Sequence, residues 1–278
     1  MNTKVGAASA LDDSPGLLRM VQAFGRTAGT DDIGELHLPA PMPIAVAASL
    51  LFQAWAVSVT RPVITGLVGA RRVTDFGADN TELLFDEEGR PAGASAMTPR
   101  YAALAGDREA AADPWAEIVD DEDALFAWAR SRLFDGHLAA LVDGLVDIAL
   151  PLAAHAASVG GTPPVPRVGR RLLWGNVAAA TAGAFAALSA TALPSAATPS
   201  RAAQMLHDAG RLLHEPGSPI EGLADVFPVD HDGGVRLFVR RQTCCLRYRL
   251  PDAPRTCLSC RLLPEAERRR RITLKLAS

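Results

Sequence analysis

Cysteine is scarce in this chain. There are four in 278 residues, too few for the bridged framework of a small secreted protein. An excess of charge is missing too: 28 Lys and Arg face 31 Asp and Glu, a formal net charge of −3. That near-neutral total argues against a nucleic-acid binder along the whole chain. The start of the chain lacks a long apolar core, because Asp12, Asp13 and Pro15 come too early, so no secretory signal is expected. No G-x-G-x-x-G opens a helix, and there is no G-x-x-x-x-G-K-[ST], no G-x-S-x-G and no H-E-x-x-H. Without a visible nicotinamide, flavin or nucleotide site, any redox chemistry here is expected to draw its electrons from another protein. No repeat at a solenoid period is seen.

Uninterrupted apolar runs are also few. Two uncharged stretches need weighing as membrane spans. Leu38–Thr60 is broken early by Pro39, Pro41 and Pro43, leaving 17 residues with Gln53 among them, at the lower limit for a span. Leu172–Ser200 is built from Ala, Thr, Ser and Gly, with Asn176 inside and Pro194 breaking it. Such residues give little insertion energy compared with Leu or Ile. Both are read as buried helices of a soluble protein. The expected compartment is the cytoplasm, where thiols stay reduced.

What is present is a globular composition, 49% hydrophobic and 21% charged, long enough for a sizeable core. The fold class expected is α+β, mainly α: a helical body with small β-hairpins and a cysteine-rich C-terminal segment. Helices are predicted near Leu17–Phe24, over Ile44–Val59, from the acids at 120–123 to about Phe134, from an Asp135 cap onward, over Arg170–Ala192 and from Ser200 to a stop at Pro216-Gly217. Strands are predicted at Val73–Phe76, Thr81–Phe85 and 90–96, with a turn at Asp86-Glu87-Glu88-Gly89. A hairpin is predicted through Val226–Val229 and Val235–Val239, and a last strand over Arg271–Leu276. Three units are expected: an uncertain segment 1–40, a body 41–235 with a break near 160–167, and a C-terminal segment 236–278.

The net charge divides unevenly between these units. Residues 236–278 hold 12 bases and three acids, a local +9, so residues 1–235 carry −12. All four cysteines lie in the basic part, as Cys244-Cys245 and Cys257-x-x-Cys260, a C-C-x11-C-x2-C spacing. Three chemistries compete for them. A vicinal disulfide is strained, since adjacent Cα atoms are about 3.8 Å apart and bridges prefer roughly 4.4–6.8 Å. Structural zinc prefers two spaced knuckles, and here one half is a pair of neighbours that point to opposite faces of a strand. A [2Fe–2S] cluster is wider and has two irons to share four thiolates. The arginines around it (Arg240, Arg241, Arg247, Arg249, Arg255, Arg261) would favour its reduced, more negative state, although the bland reading of such residues is a solvated basic face.

The segment Arg241–Arg261, with Cys-Cys followed by Leu-x-Tyr-Arg before a proline, resembles the FhuF-type ferric-siderophore reductases. Their C-terminal signature is C-C-x10-C-x2-C. Here the gap is one residue longer, an insertion that a loop around Pro251–Pro254 absorbs. The run Arg170–Ala178, with Trp174-Gly175-Asn176, is similar to the family's W-G-N segment, and His137-Leu138 to its His-Leu pair. The resemblance implies a [2Fe–2S] cluster on Cys244, Cys245, Cys257 and Cys260. It also implies one-electron reduction of siderophore-bound Fe(III), hydroxamate-type by preference, fed by a separate donor protein, with Fe(II) released in the cytoplasm. Arg171, Trp174, Asn176 and His137 become candidate substrate residues. Their plainer readings are core packing for Trp174, a hydrogen-bonded core amide for Asn176 and a structural histidine for His137. Arg268–Arg271 is either a docking patch for the donor or an anionic membrane, or a solvated run. The alternative function is a zinc-stabilised module whose basic C-terminal region meets nucleic acid or a protein partner.

Overall fold

The computed structural model describes residues 3–6, 20, 44–87, 91–146, 168–191, 197–250 and 256–277. Two long apolar helices form its centre: α1, Ile44–Ala70, and α3, Arg170–Thr191. They lie against each other along their length. In α1 the side chains of Phe52, Trp55, Val59, Ile64 and Leu67 are fully buried, and in α3 those of Leu173, Val177, Ala182 and Phe185. Both are long and apolar enough to cross a membrane, but the most apolar 18-residue windows are 56% and 67% buried inside the fold. The two stretches weighed as spans are thus largely core helices.

Helix α1 runs past the predicted end at Val59, through Pro62, to Ala70. A proline inside a helix removes one backbone hydrogen bond and costs about 3 kcal/mol. Burial of Val63, Ile64 and Leu67 beyond it outweighs that loss. Arg71 then reverses the chain in the left-handed region (φ 53°). Its guanidinium meets Asp208 at 2.7 Å and Glu122 at 3.2 Å, tying the end of α1 to two other helices.

Three small sheets surround the helices. β3 (Thr81–Phe85) and β4 (Pro91–Ala96) are the predicted antiparallel pair, joined at the other edge by β1 (Thr3–Gly6). β2 (Arg72–Thr74) pairs with β5 (Tyr101–Leu104), which runs parallel to β6 (Ala116–Val119). β1, β5 and β6 carry no pattern that was read as strand. β7 (Ala224–His231) and β8 (Gly234–Arg241) form the predicted hairpin. Its two-residue turn places Asp232 (φ 49°) and Gly233 (φ 76°) at the left-handed positions such turns require.

The acids before α2, Glu122–Arg130, behave as expected: the Asp121 carboxylate accepts the Ala124 N–H. The predicted break at Asp135 is absent. The helix passes into a π-helical stretch, Ser131–Leu138, and continues helical to residue 146. Asp135 and Gly136 lie on its exposed side, while Leu133, Phe134, His137 and Leu138 stay buried, so packing carries the helix over a capping signal. α4, Pro199–Leu213, is capped by Thr198; of the face expected from its apolar spacing, Ala202, Met205, Ala209, Leu212 and Leu213 are buried and Leu206 is half-buried against the core.

The predicted strand Arg271–Leu276 is instead the end of a helix, α5, Glu265–Leu276. Its alternation of types coincides with i to i+3 and i to i+4 ion pairs, Glu267 with Arg270 and Arg271 and Glu265 with Arg268 and Arg269. These pairs stabilise a helix and have no counterpart along a strand. The break near 160–167 and most of the Leu17–Phe24 helix lie outside the described residues.

Candidate functional site

The cysteines follow β8 directly. Leu246, in the left-handed conformation at φ 64°, turns the chain sharply after Cys244-Cys245 and leads into a short 3-10 turn at Arg247–Arg249. This is the local bend that lets neighbouring side chains serve one site. It is an unusual conformation for a non-glycine residue, and burial of Leu246 in the core holds it. The second pair is brought back beside the end of β8 by one backbone hydrogen bond, from the Arg241 N–H to the Ser259 carbonyl at 3.0 Å. The extra residue between the pairs falls outside the described residues.

The thiols of Cys245 and Cys257 meet and share a proton. The Cys245 S–H donates to Cys257, which pushes Cys257 down to about 5 and Cys245 up. Cys260 is raised, mainly by burial, and lies within the electrostatic reach of Cys257 and Cys244. Cys245 and Cys260 are nearly buried, and the other two are half-buried.

Each sulfur also has a donor two residues along the chain. The Leu246 N–H points at Cys244 Sγ at 3.3 Å, and the Ser259 hydroxyl lies 3.5 Å from Cys257 Sγ. The backbone N–H groups of Arg247 and Leu262 donate towards Cys245 and Cys260. Donors placed on sulfur favour the thiolate that a metal needs, and at iron–sulfur sites they raise the reduction potential.

Beneath the cysteines the body supplies a polar network. Asn176, fully buried in α3, donates to the Ser49 carbonyl of α1 at 2.9 Å and to its hydroxyl at 3.1 Å. The Ser49 hydroxyl donates to the Cys245 carbonyl at 3.0 Å. Arg241 donates to the Asn176 side-chain oxygen, to Gln53 Oε1 at 3.2 Å and to the Gly175 carbonyl at 3.4 Å. The Gly175 position allows the close fit. A β-carbon there would stand 1.8 Å from Thr243 Oγ1 and 2.5 Å from Thr243 Cβ. Trp174-Gly175-Asn176 is thus the bed on which the residue before Cys244 rests.

The C-x-x-C loop is fastened from the other side. Arg268, 3% exposed, donates to the carbonyls of Leu258, Cys260 and Leu263 at 2.9–3.2 Å. Arg271 donates to the Thr256 carbonyl at 2.9 Å. Sequence reasoning weighed this arginine run as a docking patch or a solvated run. The signal for it was its place eight residues after Cys260, in the first turn of the helix that follows the C-x-x-C loop.

The other candidates are scattered. Arg171 is exposed at the start of α3, and Trp174 is half-buried against the core. His137 is fully buried, and both ring nitrogens are engaged: Nδ1 donates to the Phe76 carbonyl at 2.7 Å and Nε2 accepts from Trp55 at 3.0 Å. That is the geometry of a neutral structural histidine, and burial depresses its pKa to about 4. A cleft of about 380 Å3 lies beside β5 and β6, between Trp115, Trp128, Arg100 and Arg132. None of the sequence-predicted site residues lines it. Arg132 and Arg100 are both engaged there by buried Asp75.

Residues 241–260 match the family described as FhuF 2Fe-2S C-terminal domain. This segment is similar to the FhuF-type [2Fe–2S] domains. The four cysteines of the FhuF-type segment fit that group. They provide four sulfur atoms, each with its own donor, and the same place holds two orphaned buried donor atoms, Arg241 Nε and Thr243 Oγ1, which suit an acceptor-rich cluster. Among the described residues no three His, Cys, Asp or Glu side chains are grouped as a single-ion site. The family match indicates a [2Fe–2S] cluster as the cofactor. No curated protein matches the chain. Among solved structures, the aerobactin synthetase IucC from a hypervirulent pathotype of Klebsiella pneumoniae is similar at 11% identity and a TM-score of 0.40. The match covers 66% of this chain and 29% of that one. The chain thus spans under a third of that protein's length.

Proposed function

We propose that the protein is a ferric-siderophore reductase. Cys244, Cys245, Cys257 and Cys260 hold the [2Fe–2S] cluster, carried by the basic segment 236–278 on the helical body 41–235. When bound, the cluster supplies one electron to siderophore-bound Fe(III) and is itself oxidised. Hydroxamate oxygens hold Fe(II) far less well than Fe(III), so the metal leaves. The electron is replaced by a separate donor protein. The cytoplasm is the compartment in which such release would serve the cell.

The observation that carries this reading is the FhuF-type segment built around four thiols with a donor on each. The chain's own residues position and tune. Ser49 and Asn176 fix the Cys245 backbone, and Arg268 fixes the C-x-x-C loop. Arg247, Arg249 and Arg261 leave positive charge on the outer side, where anionic substrate or donor would approach. Arg171 and Trp174, at the start of α3, are the candidates for substrate contact; His137, with both nitrogens engaged, is not.

The test is anaerobic purification followed by rapid mixing. Two irons and two sulfides per chain, a reduced-state EPR signal and reoxidation of the reduced protein by a ferric hydroxamate, with Fe(II) captured by a chelator, are expected. A colourless protein with one zinc per chain would end the reading. A cluster that ferric siderophores do not reoxidise would end its reductase part.

A further inference from the structure

The six arginines near the cysteines are not equivalent. Arg240 is exposed and pairs with Asp225 at 3.4 Å. Arg249 is exposed and rests on its neighbour Tyr248, and Arg261 reaches the Gln242 carbonyl at 3.1 Å. Arg247 is half-buried, and Arg255 lies outside the described residues. Arg268 to Arg271 all have Glu265 or Glu267 as partners.

Arg241 differs from all of these. It is 2% exposed. The partners of its guanidinium among the described residues are neutral: Gln53, Asn176 and the Gly175 carbonyl. No carboxylate among the described residues pairs with it, and its Nε–H is without a partner. A buried guanidinium in neutral surroundings is costly unless an anion meets it. The anion available is at the cysteines: the Arg241 backbone N–H holds the Ser259 carbonyl of the C-x-x-C loop at 3.0 Å, and its side-chain partner Asn176 bonds Ser49, whose hydroxyl holds the Cys245 carbonyl at 3.0 Å. Its cage also comes from both central helices: Gln53 from α1, Gly175 and Asn176 from α3.

We propose that Arg241 is the buried countercharge of the cluster, a positioning residue that holds its reduction potential up. This rests on the cluster assignment above. An oxidised [2Fe–2S] group with four thiolates carries −2, and one electron makes it −3. A fixed positive charge in a water-poor site stabilises the second state more than the first, by an amount that the exposed arginines, screened by solvent, do not supply. Asn176 and Gln53, as neutral partners, orient the guanidinium and leave its charge uncompensated. A carboxylate at either place would cancel it.

The test is an EPR-monitored redox titration of the cluster-loaded protein, with iron and sulfide measured on each sample. Arg241→Gln is expected to disfavour reduction tenfold or more, about 59 mV or more in the negative direction for one electron. Arg241→Lys, which keeps the charge, should stay closer to wild type. Gln53→Glu keeps Arg241 and places a carboxylate against it, and should shift the potential in the same direction as Arg241→Gln. It also decides the matter if Arg241→Gln fails to hold a cluster. Fully loaded variants with a wild-type potential would overturn the countercharge role. A wild-type protein without iron and sulfide would instead overturn the cluster assignment.

Discussion

Replacing Gly175 with alanine tests whether the W-G-N helix is the seat of the cysteine pair. In an ordinary helix the change is favourable by about 1 kcal/mol, because alanine has the higher helix propensity. Gly183, in the same helix, has open space where a β-carbon would stand. Gly183→Ala should follow that rule and stabilise the protein by up to about 1 kcal/mol. At Gly175 the new β-carbon meets Thr243 Oγ1 at 1.8 Å, Cβ at 2.5 Å and Cγ2 at 2.6 Å. Rotation about χ1 can relieve the first and last contacts but not the second, since Cβ is fixed by the backbone. Relief to ordinary contact requires α3 and the end of β8 to part by about 1 Å, against a packed core. Overpacking of that kind costs about 1–3 kcal/mol, and the upper end applies where backbone must move. After subtracting the propensity gain, Gly175→Ala should lose about 2 kcal/mol, opposite in sign to its neighbour two turns on. Urea denaturation of the two single variants under identical loading measures this directly. Since Thr243 precedes Cys244, iron and sulfide content should fall in Gly175→Ala alone. Adding Thr243→Ala should restore part of both. A Gly175→Ala protein as stable as Gly183→Ala, with full iron content, would refute the close-fit argument.

Other expectations follow from the same contacts. His137 is held neutral, with its pKa lowered from 6.5 to about 4 by burial. Above pH 6.5 neither state binds the proton and its stabilising effect is complete. As pH falls towards 4 only the unfolded state takes up the proton, and about 3 kcal/mol is lost, with nothing further below that. The difference between the stability–pH profiles of wild type and His137→Gln should show that loss between pH 6.5 and 4; parallel profiles would contradict it. Arg268→Met leaves the carbonyls of Leu258, Cys260 and Leu263 without their shared donor. It should destabilise by about 2–4 kcal/mol and speed iron loss to a chelator, while Arg269→Met, exposed at 79%, should do neither. Ser49→Ala removes the donor to the Cys245 carbonyl and should cost about 1–2 kcal/mol. An Asn176→Leu protein with unchanged stability and EPR line shape would show that the network beneath the cysteines carries no structure.

Much of this arrangement was written in local pattern. The α3 and α4 helices, the β3–β4 pair and the β7–β8 hairpin follow from apolar periodicity and turn chemistry that act over a few residues. The errors share a cause, in that tertiary contacts override local signals. Asp135 reads as a cap, yet burial of Leu133, Phe134 and His137 carries the helix past it. The helix expected over Ile44–Val59 runs on through Pro62 to Ala70, because Val63, Ile64 and Leu67 beyond the proline are buried. The segment from Arg271 alternates like a strand, yet Glu265 and Glu267 at helical spacing outweigh the alternation. β5 and β6 pair in parallel across an intervening loop, which leaves no mark within either strand. At the site the four cysteines were legible because their spacing is unusual, and Asn176 because an amide in an apolar helix needs partners. Gln53 stood out as an amide in an apolar run, but its partner Arg241, 188 positions away, was not legible, and nothing local singled out Ser49.

The long-range character of these contacts also bears on how the cluster and the body depend on each other. Ser49 lies 196 residues from Cys245, Asn176 lies 65 from Arg241, and Gln53 lies 188 from it. The network therefore links the first central helix, the second central helix and the last strand through one set of buried polar groups. Such a set is stabilising when every member is satisfied and costly when one is not. Two of its donor atoms, Arg241 Nε and Thr243 Oγ1, are unsatisfied by the protein itself. A cluster that accepts from them would complete the network, so cluster binding should stabilise the α1–α3 core and not only the C-terminal loop. Amide hydrogen exchange with and without the cluster separates the two cases. Slower exchange reaching residues 49–53 and 175–178 when iron is bound is the expected result; protection confined to 244–263 would mean that the body is a passive platform.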